Sequence, residues 1–299
     1  MSIGRVGIVG AGFMGSGIAE AAARAGVDVT LHEPEQGPLD RSKGRIEQSV
    51  ARALKGGKLT DSDAAQLMDR VVWSRSFDDL GGCDLVVEAV VEDIQVKGPV
   101  FQRLDALAPE AILASNTSSI PIAQIASWTQ DPQRVLGLHF FSPVPVMKLV
   151  EIVVGLDTDA EIVEQAALFA EQIGKHPIRT KDRSGFIVNM LLVPYLMAAV
   201  RMYEDGFASR EDIDNGMKLG AGHPMGPLTL CDFIGLDVLY AVCDSLYEEF
   251  KRPEYAPPPL LKRMVVSGHH GRKTGRGFYE YVSSGESRRH RDARLSEAA

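Results

Sequence analysis

His139 and Glu151 are the residues whose types and spacing most directly suggest proton transfer. They bracket the segment HFFSPVPVMKLVE, which follows the apolar run Val135-Leu136-Gly137-Leu138 and leads into a second apolar run from Leu149 to Val154. The first run predicts a short buried strand. His139 then falls where a strand gives way to a loop, which is where open α/β sheets put their chemistry. Pro143 and Pro145 stiffen the loop, and a carboxylate near the start of the next run can meet the imidazole across it. Such a carboxylate fixes the imidazole tautomer and favours the imidazolium, which suits the ring to moving a proton near neutral pH. A histidine beside two phenylalanines also fits a hydrogen-bonded core residue.

A second constellation, Gly10-Ala11-Gly12-Phe13-Met14-Gly15, has the form G-x-G-x-x-G. Alone that pattern is weak. Here a strand-like run, RVGIVG, ends on Gly10, a helical pattern over about 13–25 starts near Gly15, and an alternating strand from Val27 ends on Glu33. That context is the dinucleotide fingerprint: Gly12 admits the pyrophosphate, the helix start offers amide donors, and Glu33 accepts from a ribose 2′-hydroxyl. Glu33 would repel a 2′-phosphate and no arginine follows directly, so NAD is expected rather than NADP.

The elements that must hold these residues alternate between helix and strand. A helical, locally basic stretch over 37–58 carries Arg41, Lys43, Arg45, Arg52, Lys55 and Lys58, which fits either an anionic ligand or a solvated helix face. Strands are expected at 71–73, 84–90 and 111–114, with a helix from after Asp93 to about Leu107. Their polar ends place Glu92, Lys97, Asn116 and Ser118 on one sheet edge near the cofactor. Ser118 fits a helix cap as well as a ligand donor. A helix at about 159–173 and a strand at 176–180 complete this half. The polar turn Lys181-Asp182-Arg183-Ser184-Gly185 marks the boundary between an α/β Rossmann-type domain with a mostly parallel sheet, residues 1–183, and an all-α domain, residues 184–282. In the latter, helices are expected over 186–204, 209–219, 227–250 and 258–267, and Asn189 is the odd polar residue in its apolar helix. Residues 283–299 are Ser-, Arg- and Glu-rich without periodicity and are expected to form a disordered tail.

Composition limits the partners. A net charge of -8 argues against nucleic acid or an acidic membrane, since both reward a basic face. The apolar segment 186–200 is shorter than the roughly 20 residues a membrane span needs and contains Asn189 and Pro194. A first strand close to the N-terminus, with no basic segment leading into a long apolar run, makes a secretory signal unexpected, and Cys83, Cys231 and Cys243 lack ligand-like spacing, so reduced thiols in a cytoplasmic protein are expected.

The chain resembles the L-3-hydroxyacyl-CoA dehydrogenases, in particular the bacterial 3-hydroxybutyryl-CoA dehydrogenases. The resemblance spans nearly all of residues 4–281 and rests on VGIVGAGFMGSGIA, LVVEAVVED, ASNTSSIPI, RVLGLHFFSPVPVMKLVEIV, DRSGFIVNMLLVPYLMAAV, GHPMGPLTLCDFIGLD and GRKTGRGFYEY. It implies that His139 is the acid/base and Glu151 its orienting carboxylate. It further implies that Ser118 and Asn189 contact the reacting oxygen, and that Gly10, Gly12, Phe13, Met14, Gly15, Glu33, Glu92, Lys97 and Asn116 surround NAD. The helix after the second strand meets CoA in relatives, which makes Ser49 an expected substrate contact beside Ser118 and Asn189. A homodimer through the helical domain is also implied. No metal is needed.

Two positions depart from the pattern. Relatives often have Asp where Glu33 stands and Asn where Ser142 stands; the first keeps the carboxylate, and the second bears on the loop beside His139. The implied reaction is NAD-dependent interconversion of 3-hydroxyacyl-CoA and 3-oxoacyl-CoA. A dehydrogenase of a non-CoA hydroxy acid and a non-catalytic NAD-binding relative are the two alternatives.

Overall fold

The computed structural model describes residues 3–281, so the tail expected at 283–299 lies outside the described residues. The chain divides into two compact units, Met1–Phe186 and Ile187–Ala299.

The first unit contains β1 (Arg5–Val9), α1 (Phe13–Arg24), β2 (Asp28–His32), α2 (Gln36–Lys55), α3 (Asp61–Asp69), β3 (Val71–Ser74) and β4 (Leu85–Glu88). It continues through α4 (Ile94–Leu107), β5 (Ile112–Ser115), α5 (Ile122–Ala126), β6 (Val135–Phe140), β7 (Leu149–Val154), α6 (Ala160–Gln172) and β8 (His176–Lys181). The eight strands form one sheet in the order β3-β2-β1-β4-β5-β6-β7-β8. Every neighbouring pair is parallel except β6 with β7. Helices cover both faces, which is why β4, β5 and β6 are buried along their whole length and read as continuous apolar runs rather than alternating ones. Ile18, Leu39, Ile46, Leu67 and Phe169, from α1, α2, α3 and α6, pack in one core cluster. Phe101, Leu104, Ile122 and Ile125, from α4 and α5, pack in the other.

Strand order reverses at β1, between β2 and β4, and this opens the C-terminal edge of the sheet into a crevice. The chain enters α1 there through two glycines that no other residue can replace. Gly10 has φ +107°, and a Cβ on it would lie 2.6 Å from the Ala89 carbonyl oxygen; one on Gly15 would lie 1.9 Å from the Gly10 oxygen. Steric exclusion at both positions explains the spacing of the motif.

The helix expected over 37–58 stops at Lys55, and a separate helix, α3, follows. Its start is a reciprocal cap in which Thr60 accepts from the Asp63 amide and the Asp63 carboxylate accepts from the Thr60 amide, a T-x-x-D signal visible in the sequence.

The second unit contains α7 (Val188–Glu204), α8 (Arg210–Asn215), α9 (Pro227–Ile234), α10 (Leu236–Phe250) and α11 (Pro259–Val266). Its core includes Leu196, Val200, Leu228, Leu239, Leu246 and Leu261. The helix expected over 227–250 is two helices, because Gly235 adopts φ +102° and breaks it. The helix expected over 209–219 is present as α8 followed directly by a π-helical turn, Gly216–Gly220. Among the described residues no helix is long and apolar enough to cross a membrane.

Candidate functional site

Gly10, Gly12, Phe13, Met14 and Glu33 line a cavity of about 910 Å³ at the crevice. A Cβ on Gly12 would meet nothing within 4 Å, so the backbone there is open to a close-lying ligand. Helix α1 starts beside it with no side-chain cap and no acidic residue in its first turn, which leaves its first amides to an anion. The Glu33 carboxylate accepts from the Ala11 amide at 3.2 Å, which ties the end of β2 to the glycine turn. An open cradle at Gly12, an uncapped helix start and an anchored acid fit a dinucleotide. Arg41, Arg45, Arg75 and Arg103 also line this cavity, a set the sequence does not assemble because it comes from α2, α4 and the end of β3. Arg75 Nε donates to the Pro34 oxygen at 3.1 Å, and Arg45 Nη1 to the Ala11 oxygen at 3.1 Å.

His139 and Glu151 face each other directly across the antiparallel β6–β7 pairing. The imidazole Nδ1 and Glu151 Oε2 are 2.7 Å apart; Glu151 is fully buried and His139 7% exposed. With Nδ1–H donated to the carboxylate, Nε2 is the ring nitrogen left to accept a proton. The ring is fixed from two sides, edge-on by Phe141 at a 4.7 Å centroid distance and at a tilt by Phe186 at 5.3 Å. Phe186 is buried and holds φ +49°, a left-handed conformation uncommon for a bulky residue. Such strain persists where surrounding packing enforces it, typically at about 1–3 kcal/mol. No sequence signal marks Phe186 beyond the glycine before it.

The other polar ends of the sheet form one network. Glu88, wholly buried at the end of β4, accepts from Lys97 Nζ at 2.6 Å, the Val90 amide at 2.7 Å and Ser115 Oγ at 2.7 Å. Lys97, 1% exposed, also pairs with Glu92 at 3.2 Å. Glu92 in turn accepts from the Thr117 hydroxyl at 2.5 Å and from the amides of Ser118 and Ser119 at 3.0 and 3.2 Å. Burial pushes the Glu92 carboxyl up, but Lys97 and the Thr117 and Ser119 hydroxyls outweigh it and hold it below its ordinary range. Lys97 is therefore beneath the surface and does not line the cavity, whereas its neighbours Val96 and Pro99 do. Glu88 carries no functional signal in the sequence, where it reads as the polar end of an apolar strand.

Ser118 is half-buried, and its place in the loop is set through its amide rather than by capping. The N-cap of α5 is Pro121, and the Ile122 and Ala123 amides donate to Asp182 instead, at 2.8 and 2.7 Å. Asn116 Oδ1 accepts from the Phe140 amide at 3.0 Å, which links the Ser118 loop to the strand of His139. Ser49, on α2, donates to Glu20 Oε1 at 2.8 Å, and both line a cavity of about 180 Å³ with Arg45, Arg52 and Pro143. Burial raises the Glu20 carboxyl, partly offset by Ser49, Arg24, Arg52 and Lys175. Asn189 belongs to the second unit, on the first turn of α7, where it is half-buried rather than enclosed.

Residues 5–183 match the family model of the 3-hydroxyacyl-CoA dehydrogenase NAD binding domain, and residues 185–281 match that of the C-terminal domain of the same enzymes. A 3-hydroxybutyryl-CoA dehydrogenase of Mycobacterium tuberculosis is 52% identical over 283 residues, which cover 94% of this chain and 99% of the relative. The human mitochondrial hydroxyacyl-coenzyme A dehydrogenase is 45% identical over 282 residues, 92% of this chain and 90% of the relative. The crystal structure of (S)-3-hydroxybutyryl-CoA dehydrogenase from Ralstonia eutropha superimposes with a TM-score of 0.90 at 43% identity, covering 94% of this chain and all of that one. A fingerprint cavity, a strand-paired His and Glu, and family matches over residues 5–183 and 185–281 lead to one assignment: the chain belongs to the 3-hydroxyacyl-CoA dehydrogenase family.

Proposed function

We propose that this protein is an NAD-dependent dehydrogenase that interconverts L-3-hydroxyacyl-CoA and 3-oxoacyl-CoA, with 3-hydroxybutyryl-CoA as the expected substrate. The observation that carries the catalytic part is the His139–Glu151 hydrogen bond of 2.7 Å, built by strand register at the C-terminal end of β6. In oxidation, His139 Nε2 takes the proton of the 3-hydroxyl while the C3–H bond gives up its electron pair. Bound NAD supplies the acceptor for the hydride that leaves C3. In reduction the imidazolium returns the proton to the oxygen. Glu151 keeps Nδ1 protonated and stabilises the imidazolium, as orienting carboxylates do. Ser118 and Asn189 are assigned to hold the reacting oxygen, Ser118 supported by its place on the loop tied to β6 through Asn116 and Asn189 by the family pattern. Orientation and charge stabilisation are what such donors contribute. Gly10, Gly12, Phe13, Met14 and Glu33 are assigned to the dinucleotide by the cavity they line. Gly15 is assigned to shaping its turn, and Glu92, Lys97 and Asn116 to bracing its rim.

The deciding experiment follows reduced-nicotinamide absorbance with acetoacetyl-CoA, acetoacetate and NADPH as comparisons. Turnover with NADH and the CoA thioester is expected; turnover with acetoacetate in preference to the thioester would replace this reading with that of a free hydroxy-acid dehydrogenase.

A homodimer through the helical unit is also proposed, supported by Leu191, Phe207, Leu219 and Val266, which are 73%, 79%, 84% and 81% exposed. Sedimentation velocity giving a monomer at micromolar concentration would remove it. A cytoplasmic location is supported by three free thiols; in-cell fractionation checks it.

A further inference from the structure

The cavity at the glycine turn carries more positive charge than a pyrophosphate requires. Arg41, Arg45, Arg75 and Arg103 line it, and among the described residues Glu33 is the one acidic side chain that does so. A pyrophosphate already has the free amides at the start of α1. Two of the four arginines are committed elsewhere. Arg103 pairs with Asp78 at 3.0 Å and lies over the Phe77 ring at 4.1 Å. Arg45 is turned to the Ala11 carbonyl on the glycine turn.

The other two, Arg41 and Arg75, flank the end of β2. The Glu33 amide donates to the Ser74 carbonyl at 3.1 Å, which joins the ends of β2 and β3, and Arg75 follows directly. Arg75 Nε donates to the Pro34 carbonyl at 3.1 Å, so its guanidinium lies beside the Glu33-Pro34 turn. From the other side Arg41 folds back along α2: a Cβ on Gly37 would lie 3.3 Å from Arg41 Nη1, which places that guanidinium over the first turn of the helix. This turn has no acidic residue and no side-chain cap. None of the ion pairs found among the described residues uses Arg41, Arg75 or Glu33. The Glu33 carboxylate is drawn instead toward the Ala11 amide. No arginine follows Glu33 in sequence, yet the fold delivers one from further along α2 and one from the end of β3. Ser76 adds a hydroxyl to the same wall. Guanidinium forks, a hydroxyl and helix-start amides are the donors that recognise a phosphate monoester. In a dinucleotide held by this fingerprint, the group that meets the acidic end of the second strand is the ribose 2′ substituent.

We propose that Arg41 and Arg75 form a latent 2′-phosphate site, so that NADP is a second dinucleotide for this chain and the charge of Glu33 alone sets its preference for NAD. The inference rests on the NAD reading above and extends it to the 2′-phosphorylated form. Glu33 accepts from the 2′-hydroxyl of NAD and opposes a dianionic phosphate at the same place. With that carboxylate made neutral, the two guanidinium groups favour the phosphate.

Calorimetric titration of NADH and NADPH into the full-length protein, with no acyl substrate present, reads the site without reading turnover. The unaltered protein is expected to bind NADH at least roughly tenfold more tightly than NADPH. Glu33→Gln is expected to tighten NADPH by roughly tenfold or more and to weaken NADH, and adding Arg41→Gln and Arg75→Gln to that variant is expected to abolish the gain, the scale of one or two charge-assisted contacts. The gain should shrink as salt is raised. In the otherwise unaltered chain, the same arginine pair is expected to lower NADPH affinity by about tenfold and NADH affinity far less, so the test stands even if the Glu33 variant does not fold. No gain in a Glu33→Gln variant that melts like the parent and still binds NADH overturns the proposal, and so does a gain that survives loss of both arginines. Equal loss of NADH and NADPH in the arginine variant assigns the guanidinium groups to the pyrophosphate and overturns it too. A parent protein that binds neither dinucleotide removes the NAD reading and this proposal with it. NADH binding without turnover of acetoacetyl-CoA leaves the proposal standing and removes only the substrate reading.

Discussion

Two ionic clusters with buried cores stand at the same edge of the sheet, and they are built for opposite ends. In the Glu88–Lys97–Glu92 cluster the lysine has a carboxylate on either side, and Glu88 is filled by an ammonium, an amide and a hydroxyl. In the His139–Glu151 pair one ring nitrogen is committed to the carboxylate and the other is not. The first cluster has spent its hydrogen-bonding capacity on holding the ends of β4 and β5 together, and it fixes the Ser118 loop through Glu92. The second keeps one basic nitrogen in reserve. A buried charge that is fully satisfied gives geometry, and a buried base with one position open gives chemistry.

Substitution separates the two. His139→Gln is expected to lower kcat by about a hundredfold to ten-thousandfold, the usual worth of a positioned acid/base, while NADH affinity and melting temperature stay close to those of the unaltered protein. A variant with unchanged turnover would show that the open nitrogen has no part in the reaction. Lys97→Met should do the reverse. Removing Lys97 leaves the buried Glu88 carboxylate without its charge partner, at about 3–5 kcal/mol, and lowers the melting temperature by roughly 10 °C. Thermal unfolding that shifts by less than a couple of degrees would mean the cluster is relaxed by water, and the contrast with His139 would fall.

Glu20 supplies the third and smallest case, a buried carboxylate held by a hydroxyl with cations nearby but none bonded to it. Burial raises its carboxyl above the ordinary 4.5, so the folded protein holds that proton at pH values where the unfolded chain has released it. Its contribution to stability is then fully present below about 4.5 and is lost as pH rises through the raised value. Glu20→Gln should therefore melt slightly higher than the parent at neutral pH, with the gap closing on acidification toward 4.5. A gap that widens on acidification would show that the neighbouring cations, rather than burial, dominate the site.

Much of this was legible in one dimension because the relevant forces are local or periodic. The G-x-G-x-x-G turn is dictated by sterics at Gly10 and Gly15, and the buried strands announce themselves as unbroken apolar runs. His139 and Glu151 are close enough in sequence for a hairpin to join them, so their partnership could be expected before the register was known. The break at Gly235 and the start of α3 at Thr60 also carry local signals, a glycine between helical runs and a T-x-x-D cap.

What the sequence could not decide is which polar residues meet when their separation along the chain is long. Glu88 finds Ser115, Asn116 finds Phe140, and Phe186 finds the ring of His139 only because a parallel sheet brings the ends of successive strands to one edge. Arg41, Arg45 and Arg52 fall on one face of α2, yet their distance along the helix axis sets Arg41 at the dinucleotide cavity and Arg52 at the Ser49 cavity, with Arg45 at both. Residue type sets what each group can do, and strand register and helix placement set which groups do it together, because hydrogen bonds and desolvated charges act over a few ångströms that only the folded chain can supply.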